Sequence, residues 1–303
     1  MDLRTVFCCA LLCCLAACQA KGETENENQI PGVPSLQVQR GSEQTLGGAD
    51  TRDYHPKWSN REKKLTFTSV RNQAMGLWVY DSLDTEPRRI ALNHPGDLHF
   101  SWNPADDRIV FDGRNSENRP IILSFDLQSE SVVPFIQAEI RGGQPNWSPD
   151  GTMIAFQHFD TLRIFHIESG EVQVTCPGAS FPSWSPDSRR IAFGYLDDIW
   201  IYDLGRDAAE IHVPGQAVQD QAAWSPDGRT IIYYSNENGS RDIWIIPAAG
   251  GDSVQVTDHA GNEWHPAWHP DGNRIAFTQD WNGTLNICVL ELNVTIVPAG
   301  NSD

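Results

Sequence analysis

The sequence predicts an all-β protein, a six-bladed β-propeller built from four-stranded antiparallel blades. Six of its eleven tryptophans, Trp58, Trp102, Trp147, Trp184, Trp224 and Trp268, recur at spacings of 44, 45, 37, 40 and 44 residues. Each is followed by two short apolar runs and a weaker third, rich in β-branched and aromatic residues and separated by turn residues. No stretch beyond the N-terminal segment combines a 3.6-residue apolar period with helix caps. About four strands in about 40 residues is the arithmetic of a propeller blade.

The marks read blade by blade. They run Pro56-Lys57-Trp58-Ser59-Asn60, Ser101-Trp102-Asn103-Pro104 and Pro145-Asn146-Trp147-Ser148-Pro149-Asp150-Gly151, then Pro182-Ser183-Trp184-Ser185-Pro186-Asp187-Ser188, Ala223-Trp224-Ser225-Pro226-Asp227-Gly228 and Pro266-Ala267-Trp268-His269-Pro270-Asp271-Gly272. In Ser-Pro-Asp-Gly, proline presets φ at the second turn position and glycine takes the last, so the chain reverses between the first two strands. The Asp of each turn is expected to cap its own turn. The preceding Trp is expected to wedge between neighbouring blades, where a large flat side chain fills space. Blades 1 and 2 depart from the pattern, with Ser59-Asn60-Arg61 and Asn103-Pro104-Ala105-Asp106 at the turn. Closing the ring needs a strand from one terminus to complete the sheet at the other. Residues around 36–46 are proposed as the outer strand of blade 6, with Val294-Thr295-Ile296-Val297 as a rival.

Length, 40% hydrophobic residues and 20% charged residues allow a packed core. A net charge of −18 without a run of Lys or Arg argues against nucleic acid, whose phosphates it would repel, and against a broad hold on anionic lipids. Five of the seven cysteines fall within the first 18 residues. That is no disulfide framework. Cys176 and Cys288 are expected as two buried free thiols in strands, a single disulfide between them being the alternative.

Residues 1–18 read as a signal peptide: Arg4 gives a thin positive start, and Val6 to Ala17 is an apolar run too short to span a bilayer. Leu15-Ala16-Ala17-Cys18 resembles the bacterial lipobox, which implies lipidation at Cys18; an ordinary signal peptide beside a cysteine is the alternative. A lipidated chain is anchored to the membrane without crossing it. Gln19 after the cysteine favours the outer membrane by the sorting rule of enteric bacteria. Residues 19–34, polar and carrying Gly and Pro, read as a flexible tether. The propeller is assigned to residues 35–303.

The pattern Pro-x-Trp-Ser-Pro-Asp-Gly followed by Ile-Ala-Phe resembles the WD-repeat-like units of the TolB propeller family over roughly residues 50–290. The motif is specific for fold and poorly so for function. The resemblance implies a binding or scaffold module of the bacterial envelope. It would face the periplasm and present its loops or channel mouth to an envelope protein or a peptidoglycan-associated partner. A TolB-type protein also carries an α/β domain ahead of the propeller, for which the stretch after Cys18 leaves no room. A monomer without cofactor is expected.

The motifs of hydrolases, P-loops, dinucleotide sites and zinc sites are absent from the sequence. One constellation carries chemistry. The residues three before each repeat Trp are His55, His99, Gln144, Phe181, Gln221 and His265. If the first strand of each blade lines the channel, they form one ring, a channel-mouth ligand set. Three imidazoles and two amide oxygens suit a divalent metal on the axis, with His55, His99 and His265 as ligands. Oligogalacturonide-cleaving propeller lyases hold a metal comparably, so a metal-dependent carbohydrate-active enzyme is the alternative function. The simpler reading is a wet channel mouth that needs polar residues and no ligand. His94, His158, His166, His212 and His259 are scattered and are expected on loops or sheet faces. The loops Asn115-Ser116-Glu117-Asn118 and Asn236-Glu237-Asn238-Gly239 read as polar hairpin tips.

Overall fold

The computed structural model describes residues 35–297 except 49–50, 72, 91–98, 116, 137–141 and 216. The predicted signal peptide, the lipidation site Cys18, the tether and His94 lie outside the described residues. Six four-stranded antiparallel sheets make up the chain. The first strand, β1 (Ser35–Leu46), belongs to the last blade. Blade 1 is β2 (Arg52–Trp58), β3 (Leu65–Arg71), β4 (Ala74–Tyr80) and β5 (Arg88–Arg89); blade 2 is β6 (Phe100–Trp102), β7 (Arg108–Arg114), β8 (Pro120–Asp126) and β9 (Ser131–Ile136). Blade 3 is β10 (Gly142–Trp147), β11 (Met153–His158), β12 (Thr161–His166) and β13 (Val172–Pro177); blade 4 is β14 (Ser180–Trp184), β15 (Arg190–Tyr195), β16 (Asp198–Asp203) and β17 (Ala208–Val213). Blade 5 is β18 (Gln219–Trp224), β19 (Thr230–Ser235), β20 (Asp242–Pro247) and β21 (Val254–Gln255); blade 6 is β22 (Asn262–Trp268), β23 (Arg274–Trp281), β24 (Thr284–Val297) and β1.

The repeat is one of register as well as sequence. Each marker Trp faces the first apolar residue of the next strand: Trp58 pairs with Leu65, Trp102 with Ile109, Trp147 with Ile154, Trp184 with Ile191, Trp224 with Ile231 and Trp268 with Ile275. Two residues further along that strand, Phe67, Phe111, Phe156, Phe193, Tyr233 and Phe277 are all at most 1% exposed. Each such ring removed from water is worth about 1.5–3 kcal/mol. The buried apolar residues fall into six clusters, each spanning two neighbouring blades. Each marker Trp lies in the cluster between its own blade and the one before. Trp268 packs with Ile232 and Ile243 of blade 5, and Trp58 with Ala276 and Ile287 of blade 6. The wedge role predicted for Trp is therefore met at every junction.

Closure uses both termini. β1 is the outer strand of blade 6, paired antiparallel with β24 from Ser35–Val297 to Leu46–Ile287. Val294–Val297 is the far end of the same long β24 and pairs with β1, so the two rival segments are partners. Leu36, Val38 and Val294 add apolar surface to the cluster between blades 5 and 6.

The turns after the Trp explain their own composition. Ser148, Ser185 and Ser225 donate Oγ to the Asp two residues on, at 2.5–2.6 Å, and accept a backbone N–H from the residue five along. Asp150, Asp187, Asp227 and Asp271 accept N–H groups of their own turns, the capping role expected of them. Blade 1 lacks a turn Asp, and blade 2 supplies it. Asp106, with φ 62° at the position that is glycine in blades 3, 5 and 6, accepts the N–H groups of Asn60, Arg61 and Glu62 at 2.7, 2.6 and 3.0 Å. Burial pushes the Asp106 carboxyl up, but these donors outweigh it and hold it below the usual carboxylate range.

Candidate functional site

Five of the six inner strands carry a bulge three residues before their Trp. In blade 1, Tyr54 pairs with Thr68 and Lys57 with Thr66, so His55 and Pro56 together face Phe67 alone. Blades 3, 4, 5 and 6 shift register at the same place. The bulged residue is left-handed in all five, with φ of 54° at His55, 52° at Gln144, 49° at Phe181, 58° at Gln221 and 56° at His265. Such a conformation costs a residue with a Cβ roughly 1–2 kcal/mol. Proline follows in four blades, where the missing N–H loses no ladder bond. The bulge re-aims a side chain that strand alternation alone would not turn to the axis.

All six ring positions line one cavity, a funnel open to solvent with about 50 Å³ of free space inside it. The imidazole of His55 lies 3.8 Å from that of His265 and 4.4 Å from that of His99, centroid to centroid. Phe181 faces them from across the axis, at 5.4 Å from His99 and 5.9 Å from His265. The two glutamines are spent on the scaffold. Gln144 Oε1 accepts the N–H of Phe181 in blade 4, and Gln221 Oε1 accepts the N–H of His265 in blade 6, each at 2.7 Å. They tie the bulge of one blade to that of the next. His99 is held by Asp112, which accepts its backbone N–H at 2.7 Å and contacts Nδ1 at 2.8 Å. His265 Nδ1 pairs with Thr278 Oγ1 at 3.2 Å, while His55 Nδ1 is buried without a partner.

Burial, with neighbouring cationic groups, holds His55 and His265 well below the ordinary imidazole range. One of those neighbours is Lys57, which lines the funnel and the second chamber beyond it. It keeps part of its surface open to the channel although protein surrounds it, and desolvation lowers its ammonium to about 8. Among the described residues no group of three His, Cys, Asp or Glu side chains is placed to hold an ion. Both amide oxygens are engaged, and a lysine stands beside the imidazoles.

Around the ring, the hairpins between the second and third strands rise on the same face: Gly142 pairs with His158, Ser180 with Gly194 and Asn262 with Asp280. Their tips expose Phe159, Leu196 and Trp281, at 47%, 55% and 47%. Phe159 and Leu196 are left-handed as well, with φ of 53° and 50°. Sequence reading missed these residues. Their signal was an apolar residue where a tight hairpin favours Asn or Gly.

The remaining histidines do not gather. His158, His166 and His212 lie in β11, β12 and β17, and His259 sits between Glu43 and Glu263 at 3.5 and 3.4 Å. Cys176 and Cys288 are buried free thiols in β13 and β24.

The family model described as the TolB β-propeller domain matches residues 173–297. An uncharacterised protein of Agrobacterium fabrum is 35% identical over 52 residues, which is 17% of this chain and 18% of that relative's length. Among solved structures, a TolB-type protein from Agrobacterium tumefaciens aligns with a TM-score of 0.59 at 19% identity, over 71% of this chain and 87% of its own. TolB from Acinetobacter baumannii gives 0.60 at 16%, over 82% and 67%. An oligogalacturonate lyase in complex with manganese gives 0.57 at 15%, over 89% and 99%. At these identities the structural likenesses speak for fold alone. The chain is a six-bladed β-propeller related in sequence and structure to TolB-like propeller proteins.

Proposed function

We propose that this chain is a lipid-anchored protein of the bacterial envelope whose propeller binds a protein partner through the ring face. The observation that carries the reading is the exposure of Phe159, Leu196 and Trp281 on that one face. All three cost stability through water contact, and Phe159 and Leu196 again through φ, so folding alone does not account for them. In this reading Cys18 carries the lipid, residues 19–34 tether the propeller, and a monomer faces the periplasm from the outer membrane. The partner is an envelope protein, in keeping with the TolB relationship, and the propeller performs no chemistry itself.

The gathering of His55, His99 and His265 favours a second reading, a metal-dependent enzyme acting on acidic sugars. One experiment separates the two: mild cross-linking in cells, capture of the tagged protein, and metal analysis of the eluate. The binding reading expects an envelope protein that is lost when Phe159, Leu196 and Trp281 are together changed to Asn. Stoichiometric metal that disappears with His55→Ala, with no partner captured, would replace it by the enzyme reading.

A further inference from the structure

The channel reverses the charge of the molecule around it. The chain holds 40 acidic residues against 22 Lys and Arg. Among the described residues no Asp or Glu lines either the funnel or the chamber beyond it, and Lys57 is the single Lys or Arg that does. At the corresponding position, one before the marker Trp, the other blades place Ser101, Asn146, Ser183, Ala223 and Ala267. These are small and neutral, and leave the lysine room to reach the axis.

Among the described residues the lysine has no counter-ion. Desolvation alone perturbs it, with no carboxylate acting on it. Two residues away, His55 Nδ1 is buried without a hydrogen-bond partner. Buried polar groups are normally satisfied, and a buried charge normally has a partner. An ammonium in the channel and an imidazole that lines the same funnel are two halves of a receptor for a group that brings acceptor oxygens and a negative charge.

We propose that the axial channel binds an organic carboxylate, held by the ammonium of Lys57 and hydrogen-bonded by His55. The charge count selects this class. One ammonium beside His55 and His265, whose charged forms burial disfavours, balances one negative charge, whereas a phosphate dianion would leave an uncompensated charge out of water. No guanidinium is present among the lining residues to form the fork that planar, bidentate phosphate recognition uses. The second chamber, of about 300 Å³ and walled by Trp58, Trp102, Trp147, Trp224 and Trp268 with the turn prolines, gives the carboxylate's organic part an apolar wall. This site does not depend on the protein partner proposed for the hairpin tips, and either can fail alone.

The test is a chemical-shift titration of the purified, isotope-labelled protein at mildly acidic pH. The probes are acetate, an N-acetylated tripeptide acid, and the same tripeptide as its C-terminal amide. Saturable shifts at Trp58 and His55 with acetate and the peptide acid would support a site for free carboxylates. Saturation by the peptide acid alone would support the site and assign the carboxylate to a chain terminus. In either case Lys57→Met should weaken binding at least about tenfold and Lys57→Arg should restore part of it. Thermal unfolding of both variants checks the fold, and the arginine variant carries the test if the methionine variant does not fold. Equal shifts with the amide, binding unchanged in Lys57→Met, or no saturation by any probe overturns the proposal.

Discussion

The two ends of the inner strands obey different rules. At the turn end, four blades repeat one solution: a Ser or His, a Pro, an Asp, and a residue that tolerates positive φ. The polar atoms there are consumed locally, as in the Ser185–Asp187 pair and the N–H of Arg189. At the ring end, five of the six positions share a backbone strain and little else. Their side chains are imidazole, amide or phenyl, and apolar tips stand in water beside them. The turn end is what folding requires of every blade. The ring end retains strain and exposure in excess of that requirement, and so is the end where function is sought.

The sharpest break of the comparison is Asp106→Ala. If the turn end exists for folding, removing the one carboxylate that caps a neighbouring blade's turn should cost more than removing a carboxylate that caps its own. Asp106 is 7% exposed and takes three backbone N–H groups of blade 1, which become unsatisfied. We expect a loss of about 2–3 kcal/mol by urea unfolding, against about 1 kcal/mol for Asp187→Ala. Equal losses would mean that blade 1 caps its turn by other means.

Next in size is a cost at the ring end. Glu263, at the start of β22, is fully buried. Burial, and the Asp242 carboxyl beside it, push it up to about 8, despite hydrogen bonds from Gln279 and Thr257. The folded protein holds that proton to about pH 8, while the unfolded chain releases it near 4.5. Stability therefore falls as pH rises between those values, by at most about 1.4 kcal/mol per unit. Glu263→Gln should flatten that slope and raise stability at neutral pH. A slope unchanged in the variant would place the titration elsewhere.

Much of this was legible in the sequence, and the limits are physical. The Trp ruler works because one bulky side chain must fill one kind of gap six times, so it gave the blade count, the wedge and the ring positions. The same ruler points to Lys57, the only charged residue one before a marker Trp. The roles of the ring residues were not legible. An amide is a metal ligand or a brace according to which backbone N–H reaches it, and Gln144 and Gln221 meet theirs across a blade junction. The bulge had a signal in the proline after His55, Gln144, Phe181 and His265, since proline inside a paired strand marks irregular pairing. The Asp106 cap had none, because its acceptor and donors lie 44–46 residues apart.

The smallest expected effect is the most discriminating. Leu196 and Asp197 form the tip of the blade 4 hairpin, with φ of 50° and 67°. A tight turn of that shape prefers Asn at the first position. Leu196→Asn relieves the backbone and removes an apolar side chain from water, so thermal unfolding should show a gain of about 0.5–1 kcal/mol. A residue kept for folding would lose stability on replacement, whereas a residue kept for a partner loses only the partner. A more stable variant that no longer captures its cross-linked envelope protein would separate the two ends of the blade as argued. A less stable one would return the hairpin tip to the fold.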